Sequence, residues 1–207
     1  MKKKKSVIVV DEQHGFGDPT GCLYVKGGEI AVGNTVEFIR KSDDIKEVIF
    51  TVDFHLYEDE SYTEPDITWP WHCMAYSVDA GIFNELIFAC REKNIPIKVF
   101  VKGNVKPHTE YGAFEKIGTF AYENGNLDII VNNRANTSPV HITSSDIVVC
   151  GIAGDYCVKN TIANLLKYAG PVPLNITVFE PGIASIDDGT ALKNFCEENN
   201  LTMISYD

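Results

Sequence analysis

Six short runs of mostly consecutive apolar residues, rich in valine, isoleucine and phenylalanine, punctuate the chain at 6–10, 47–52, 97–101, 146–151, 175–180 and 201–206. Each has the length of a strand. A half-exposed strand alternates apolar and polar positions, whereas most of these runs are apolar at successive positions and so require cover on both faces, as in a parallel sheet. Helical spacing fills the intervals. The clearest case follows Cys157, where Val158, Ile162, Leu165, Leu166 and Ala169 recur at three- and four-residue steps to make one apolar stripe, stopped by Gly170 and Pro171. Further helices are expected over 29–41, 81–93, 112–123 and 189–198. Strand and helix therefore alternate, which predicts an α/β fold: a doubly wound six-stranded parallel sheet with helices on both faces and right-handed crossovers. Two segments break the rhythm. Residues 56–74 are rich in acidic, aromatic and proline residues, residues 124–145 carry Asn and Ser clusters with little periodicity, and loops of that length usually serve function.

At 207 residues, 44% hydrophobic and 23% charged, the chain fits one globular domain over 1–207. The net charge of −11 argues against nucleic acid as a partner, since phosphate binding relies on clustered Lys and Arg. The one basic run, Lys2 to Lys5, is expected as a solvated tail. The apolar stretch behind it, Val7 to Val10, is far shorter than a signal-peptide core and meets acidic Asp11 and Glu12 at once. No apolar run nears the roughly 20 residues of a membrane span. The expectation is a soluble, cytoplasmic protein with no membrane partner. Cys22, Cys73, Cys90, Cys150, Cys157 and Cys196 form no CxxC pair, and a reducing compartment leaves them as free thiols.

Ligands of open α/β sheets sit beyond the carboxyl ends of the strands, so the polar residues at those ends come first. Asp11 follows the first strand, Asp53 and His55 end the second, Lys102 ends the third, and Cys157 follows the fourth at a helix start. A thiol there is a candidate nucleophile, because the helix N-terminus favours thiolate and its N–H groups can hold an oxyanion. Asp11 can take the thiol proton, and Lys102 can stabilise the carboxylate and developing charge. In Asp53-Phe54-His55 the two polar side chains share one face of a strand edge. With His72, from Trp69-Pro70-Trp71-His72-Cys73, they make a two-histidine, one-carboxylate set that suits zinc first, with manganese or iron as alternates. Ser61 and Glu64 lie between the histidines in sequence and are further candidate ligands, direct or through water.

These motifs, in this order, resemble the nicotinamidase (pyrazinamidase) branch of the isochorismatase-like cysteine hydrolases over essentially the whole chain. Val9-Val10-Asp11-Glu12-Gln13 with Phe16 is similar to the family's opening strand, Asp53-Phe54-His55 and 69–73 to its metal segments, and Lys102-Gly103 with Glu110-Tyr111-Gly112-Ala113-Phe114 to its lysine loop. Residues 151–158 are similar to its nucleophile turn. The resemblance implies hydrolysis of nicotinamide to nicotinate and ammonia through a Cys157 thioester, with Asp11 and Lys102 as partners and one divalent metal orienting the substrate. It further implies a cis peptide before Ala153 and an oxyanion hole from the N–H groups of Ala153 and Cys157. Phe16 and Trp69 are implied to sandwich the ring, with Gln13 and Tyr111 also counted as substrate-binding. A homo-oligomer stays open, and a hydrolase of another small amide is the alternative. Gly154, Gly112 and Glu110 depart from the family's usual threonine, serine and aspartate, and 74–79 lack its Gln-Gly-Thr run.

Overall fold

The computed structural model describes residues 4–57, 69–103, 110–114, 117–123, 126–131, 140–168 and 173–206. Its elements run β1 (Lys5–Val10), α1 (His14–Gly17), α2 (Gly28–Lys41), β2 (Ile45–Asp53), α3 (Asn84–Glu92), β3 (Ile97–Lys102), β4 (Ile117–Glu123) and β5 (Asn126–Val131). There follow β6 (Val140–Ile142), β7 (Asp146–Ile152), a π-helical turn (Gly154–Val158) leading into α4 (Lys159–Tyr168), β8 (Asn175–Ala184), α5 (Thr190–Glu198) and β9 (Thr202–Ile204).

All six expected strands are present, and they make one parallel sheet in the order β3, β2, β1, β7, β8, β9. Consecutive apolar residues explain the layers. In β1 and β2, Val7, Val9, Val48 and Phe50 face one way and pack with Val32 and Val36 of α2 and Leu86 of α3. Their neighbours Ile8, Val10 and Ile49 face the other way, toward Ile162 and Leu165 of α4 and Leu192 of α5. The three-layer expectation therefore holds, and the chain winds outward from β1 in one direction and from β7 in the other. That leaves a crevice between the carboxyl ends of β1 and β7, where such sheets take ligands.

Three local expectations need correction. The stretch 112–123 is no helix: Ile117–Glu123 is a strand that pairs antiparallel with β5, and β5 pairs antiparallel with β6, so a second, three-stranded sheet takes in part of the region expected to be irregular. The signal was in the sequence. Glu123 pairs with Asn126, and the two residues between them are Asn124 and Gly125, the pair that two-residue hairpins favour. Lys5 belongs to β1 instead of a free tail, with its ammonium 3.0 Å from Asp44 and over the Phe38 ring; Lys2 and Lys3 lie outside the described residues. β8 runs past Glu180 because its pairing with β7 slips between Val149 and Gly151, so that Gly151 meets Ile183. Gly170 and Pro171, expected to stop α4, also lie outside the described residues.

A polar clamp joins the second sheet to the amino end of the first. The Glu47 carboxylate accepts from Ser6 Oγ and the Thr143 N–H at 2.7 Å each and from Lys98 Nζ at 2.6 Å, while Lys98 also donates to the His141 carbonyl. Burial opposes its charge, yet these donors hold Glu47 below the usual glutamate range. No helix among the described residues is long and apolar enough to cross a membrane.

Candidate active site and metal centre

At the carboxyl end of β1 the chain turns sharply. Asp11 has φ of 49°, in the left-handed region that few non-glycine residues adopt. Thr51 holds it there: the Asp11 N–H donates to the Thr51 carbonyl at 3.1 Å and to its hydroxyl oxygen at 3.2 Å, and the Thr51 hydroxyl donates to Asp11 Oδ1 at 2.6 Å. The other oxygen, Oδ2, lies 2.7 Å from Lys102 Nζ. Lys102 comes from the end of β3, in register with Asp53 of β2, and its ammonium is 3.4 Å from Asp53 Oδ1 and 3.7 Å from Cys157 Sγ. All four side chains are buried. One ammonium thus bridges two carboxylates and a thiol.

The electrostatics follow from that burial. Desolvation alone would lower the Lys102 ammonium, but Asp11, Asp53 and Cys157 around it hold it well above the usual lysine range, so it stays charged. Burial raises the Asp11 carboxyl against the pull of Lys102, which gives a carboxylate more basic than one in water. The Cys157 thiol is pushed up by burial, with Lys102 lowering it and Asp11 and Asp53 raising it. The sequence suggested a thiolate favoured by a helix N-terminus; in the structure burial works against the charged form, and the Lys102 ammonium beside the sulfur works for it. Cys157 sits in the π-helical turn after the cis Ile152–Ala153 peptide bond. Gly151 before it has φ of 133°, and any side chain there would collide with the Val10 backbone.

Two residues that sequence reasoning missed brace this turn and the lysine loop. Asp155 accepts from the Ile186 and Asp187 N–H groups at 3.0 Å each, tying the turn to the segment after β8. Thr161 of α4 accepts from the Ala113 N–H at 3.0 Å and, with Asn164 donating to the Ala113 carbonyl at 2.9 Å, fixes the segment carrying Tyr111. Neither has a one-dimensional signature, since each acts on backbone brought near only by the fold. Glu110 adds a link by accepting from the Gly103 N–H at 3.2 Å. Gly103 itself has φ of 76°, and a side chain there would strike Asp53.

On the far side of Asp53 stands the metal set. His55 Nε2 is 3.1 Å and His72 Nε2 3.5 Å from the same Asp53 oxygen, Oδ2, and one donor atom from each residue lies within 4.8 Å of the others. His72 Nδ1 is 2.7 Å from the Pro70 carbonyl, which can only accept, so that nitrogen carries the hydrogen and Nε2 offers its lone pair. A buried carboxylate oxygen and two imidazoles converging in this way form a divalent-metal site of borderline ligand type. Burial opposes the charge of Asp53, but Lys102 and His55 keep it ionised, well below the usual range, as a ligand must be. Ser61 and Glu64 lie outside the described residues.

Aromatic side chains frame both centres. Phe16 is buried with its ring 5.3 Å from that of His72. Trp69 donates to Tyr111 Oη at 3.2 Å, and both rings meet Tyr156, the neighbour of Cys157, at 5.2 and 5.5 Å. Tyr156 was not anticipated as part of this wall. Gln13 differs from the expectation of substrate contact: it is buried, and both its amide nitrogen and its oxygen are engaged by backbone groups of Asp53 and Ala80.

A six-stranded parallel sheet between helices, with this site at the switch between β1 and β7, is the isochorismatase-like three-layer fold. The similar proteins are narrower in kind. No protein-family model matches the chain. The nicotinamidase of Saccharomyces cerevisiae is 26% identical over 200 aligned residues that cover 84% of this chain and 87% of that protein. Among solved structures, PnC1 from L. infantum in complex with nicotinate superposes with a TM-score of 0.72 at 22% identity, over 99% of this chain and 94% of that one. The pyrazinamidase of Pyrococcus horikoshii in complex with zinc gives 0.69 at 20% identity, over 98% and 99%.

Proposed function

We propose that the chain is an isochorismatase-like cysteine hydrolase that converts nicotinamide and water to nicotinate and ammonia. The observation that carries this reading is the single ammonium of Lys102 held between Asp11, Asp53 and Cys157, which joins an acid–base–thiol cluster to a metal set at one sheet end. Asp11 takes the Cys157 proton as Sγ attacks the amide carbonyl carbon. The N–H groups of Ala153 and Cys157 serve the resulting oxyanion, and Asp11 returns the proton to the departing nitrogen, so ammonia leaves and a thioester remains. Water, deprotonated by Asp11, then attacks the thioester, releasing nicotinate and restoring the thiol. Lys102 keeps the carboxylate and sulfur charges in register throughout. Asp53, His55 and His72 would hold the divalent ion, zinc by preference, which supplies a Lewis-acid point for the pyridine nitrogen. Phe16, Trp69 and Tyr111 offer apolar faces for a planar ring, and Tyr156 adds a fourth.

Similar proteins support the substrate: the chain is 26% identical to a nicotinamidase, and a nicotinate complex and a zinc-bound pyrazinamidase share its fold. The test is ammonia release from nicotinamide by the purified, zinc-loaded protein. Equimolar ammonia and nicotinate are expected. Turnover of other small amides with none of nicotinamide would move the reading to a different amide hydrolase of the same chemistry.

A further inference from the structure

Where β1 ends at Val10, β2 continues to Asp53, leaving the last rung of β2 on that side without a backbone partner. Gln13 fills it. Its Oε1 accepts from the Asp53 N–H at 2.7 Å and its Nε2 donates to the Asp53 carbonyl at 2.8 Å, so the side-chain amide replaces a peptide group and extends the ladder. The same nitrogen donates to the Ala80 carbonyl at 2.8 Å. Ala80 closes the segment that follows His72, which is itself fixed by the Cys73 N–H donating to Asp79 at 2.7 Å. The same segment pairs with His55: the His55 N–H donates to the Cys73 carbonyl, and the Ala75 N–H to that of His55. The carriers of all three donor atoms are therefore braced to one another, and Gln13 is the fully buried side chain that fastens two of them.

We infer that Gln13 is a positioning residue of the metal centre, setting Asp53 and the segment behind His72, and is not a substrate contact. Residues that orient metal ligands typically change affinity about 10–100-fold when altered. The inference rests on the metal reading of Asp53, His55 and His72, so its test uses zinc alone. In Gln13→Glu the shape stays but both donors are lost, and the new carboxylate faces two carbonyl oxygens; in Gln13→Met every bond is lost. The zinc dissociation constant should rise about 10–100-fold in each. The rate of Cys157 alkylation by iodoacetamide in the metal-free proteins should stay within about twofold of the parent, since the hydrogen bonds of the Gln13 side chain go to Asp53 and Ala80 and not to that turn. Excess zinc should restore kcat.

Unchanged zinc affinity together with a raised KM for nicotinamide would overturn the inference in favour of substrate contact. Parallel loss of zinc affinity and alkylation, or failure of both variants to fold, would assign Gln13 to the general core and overturn it as well. A parent protein that binds no zinc sinks the metal reading itself, an outcome distinct from a zinc-binding parent with unaffected variants.

Discussion

Cys157 is a small buried thiol at a turn, and its replacement by alanine removes the proposed nucleophile with little volume. Cys157→Ala should therefore keep its melting temperature within a few degrees and release no ammonia above background; appreciable turnover by the folded variant would show that the nucleophile is misassigned. Lys102 differs in kind, because it is the only cation within 4 Å of two buried carboxylates among the described contacts. Lys102→Met removes the ammonium that bridges Asp11 and Asp53, leaving Asp11 to the Thr51 hydroxyl and Asp53 to His55 and His72, and breaking such a buried pair typically costs about 3–5 kcal/mol. Urea unfolding of the metal-free protein at neutral pH measures it, and a loss below about 1 kcal/mol would contradict the charge arrangement. These residues were legible in the sequence because each sits just after an apolar run. Thr51, Asp155 and Gln13's true partners were not, since their roles are hydrogen bonds to backbone that only the folded chain brings near.

Among the elements, the parallel sheet was readable because strands buried on both faces leave unbroken apolar runs, and the helices between them leave a stripe. The second sheet was not. Ile117–Glu123 has too little alternation and too much overlap with a helical reading, and its pairing with Asn126–Val131 is a tertiary fact announced only by Asn124-Gly125. Val140 and Ile142 bury this sheet's edge in the core beside Ile8, Ile49 and Phe100, and the Glu47 clamp adds a polar link that carries a pH signature. Glu47 is depressed in the folded protein, so its stabilising contribution is fully present above the ordinary value of 4.5 and is lost as pH falls through the folded value. In Glu47→Gln the unfolding free energy should be lower at pH 7 and should decline less steeply between about pH 5 and pH 3. Amide exchange at Val140 to Ile142 should also quicken. An unchanged pH slope would show that Ser6, Lys98 and Thr143 do not stabilise the charged form.

For the molecule as a whole, the two centres join: the Asp11, Lys102 and Cys157 cluster, from the end of β1, the end of β3 and the turn after β7, meets the Asp53, His55 and His72 set through Asp53. Zinc should raise the melting temperature in proportion to the logarithm of its concentration, and His55→Ala with His72→Ala should abolish that rise; retention of the shift in the double variant would place the metal elsewhere. In the proposed function these centres together hydrolyse nicotinamide with the ring nitrogen facing the metal. Benzamide has nearly the same shape and the same scissile bond but no ring nitrogen, and the aromatic faces of Phe16, Trp69, Tyr111 and Tyr156 cannot tell the two apart. Sites built around a polar group reject analogues that lack it. The most direct measurement is kcat/KM for both amides with the zinc-loaded protein. Nicotinamide should be favoured at least about a hundredfold, or about 2.7 kcal/mol at about 1.36 kcal/mol per decade; equal values for the two amides would contradict a ring nitrogen held at the metal.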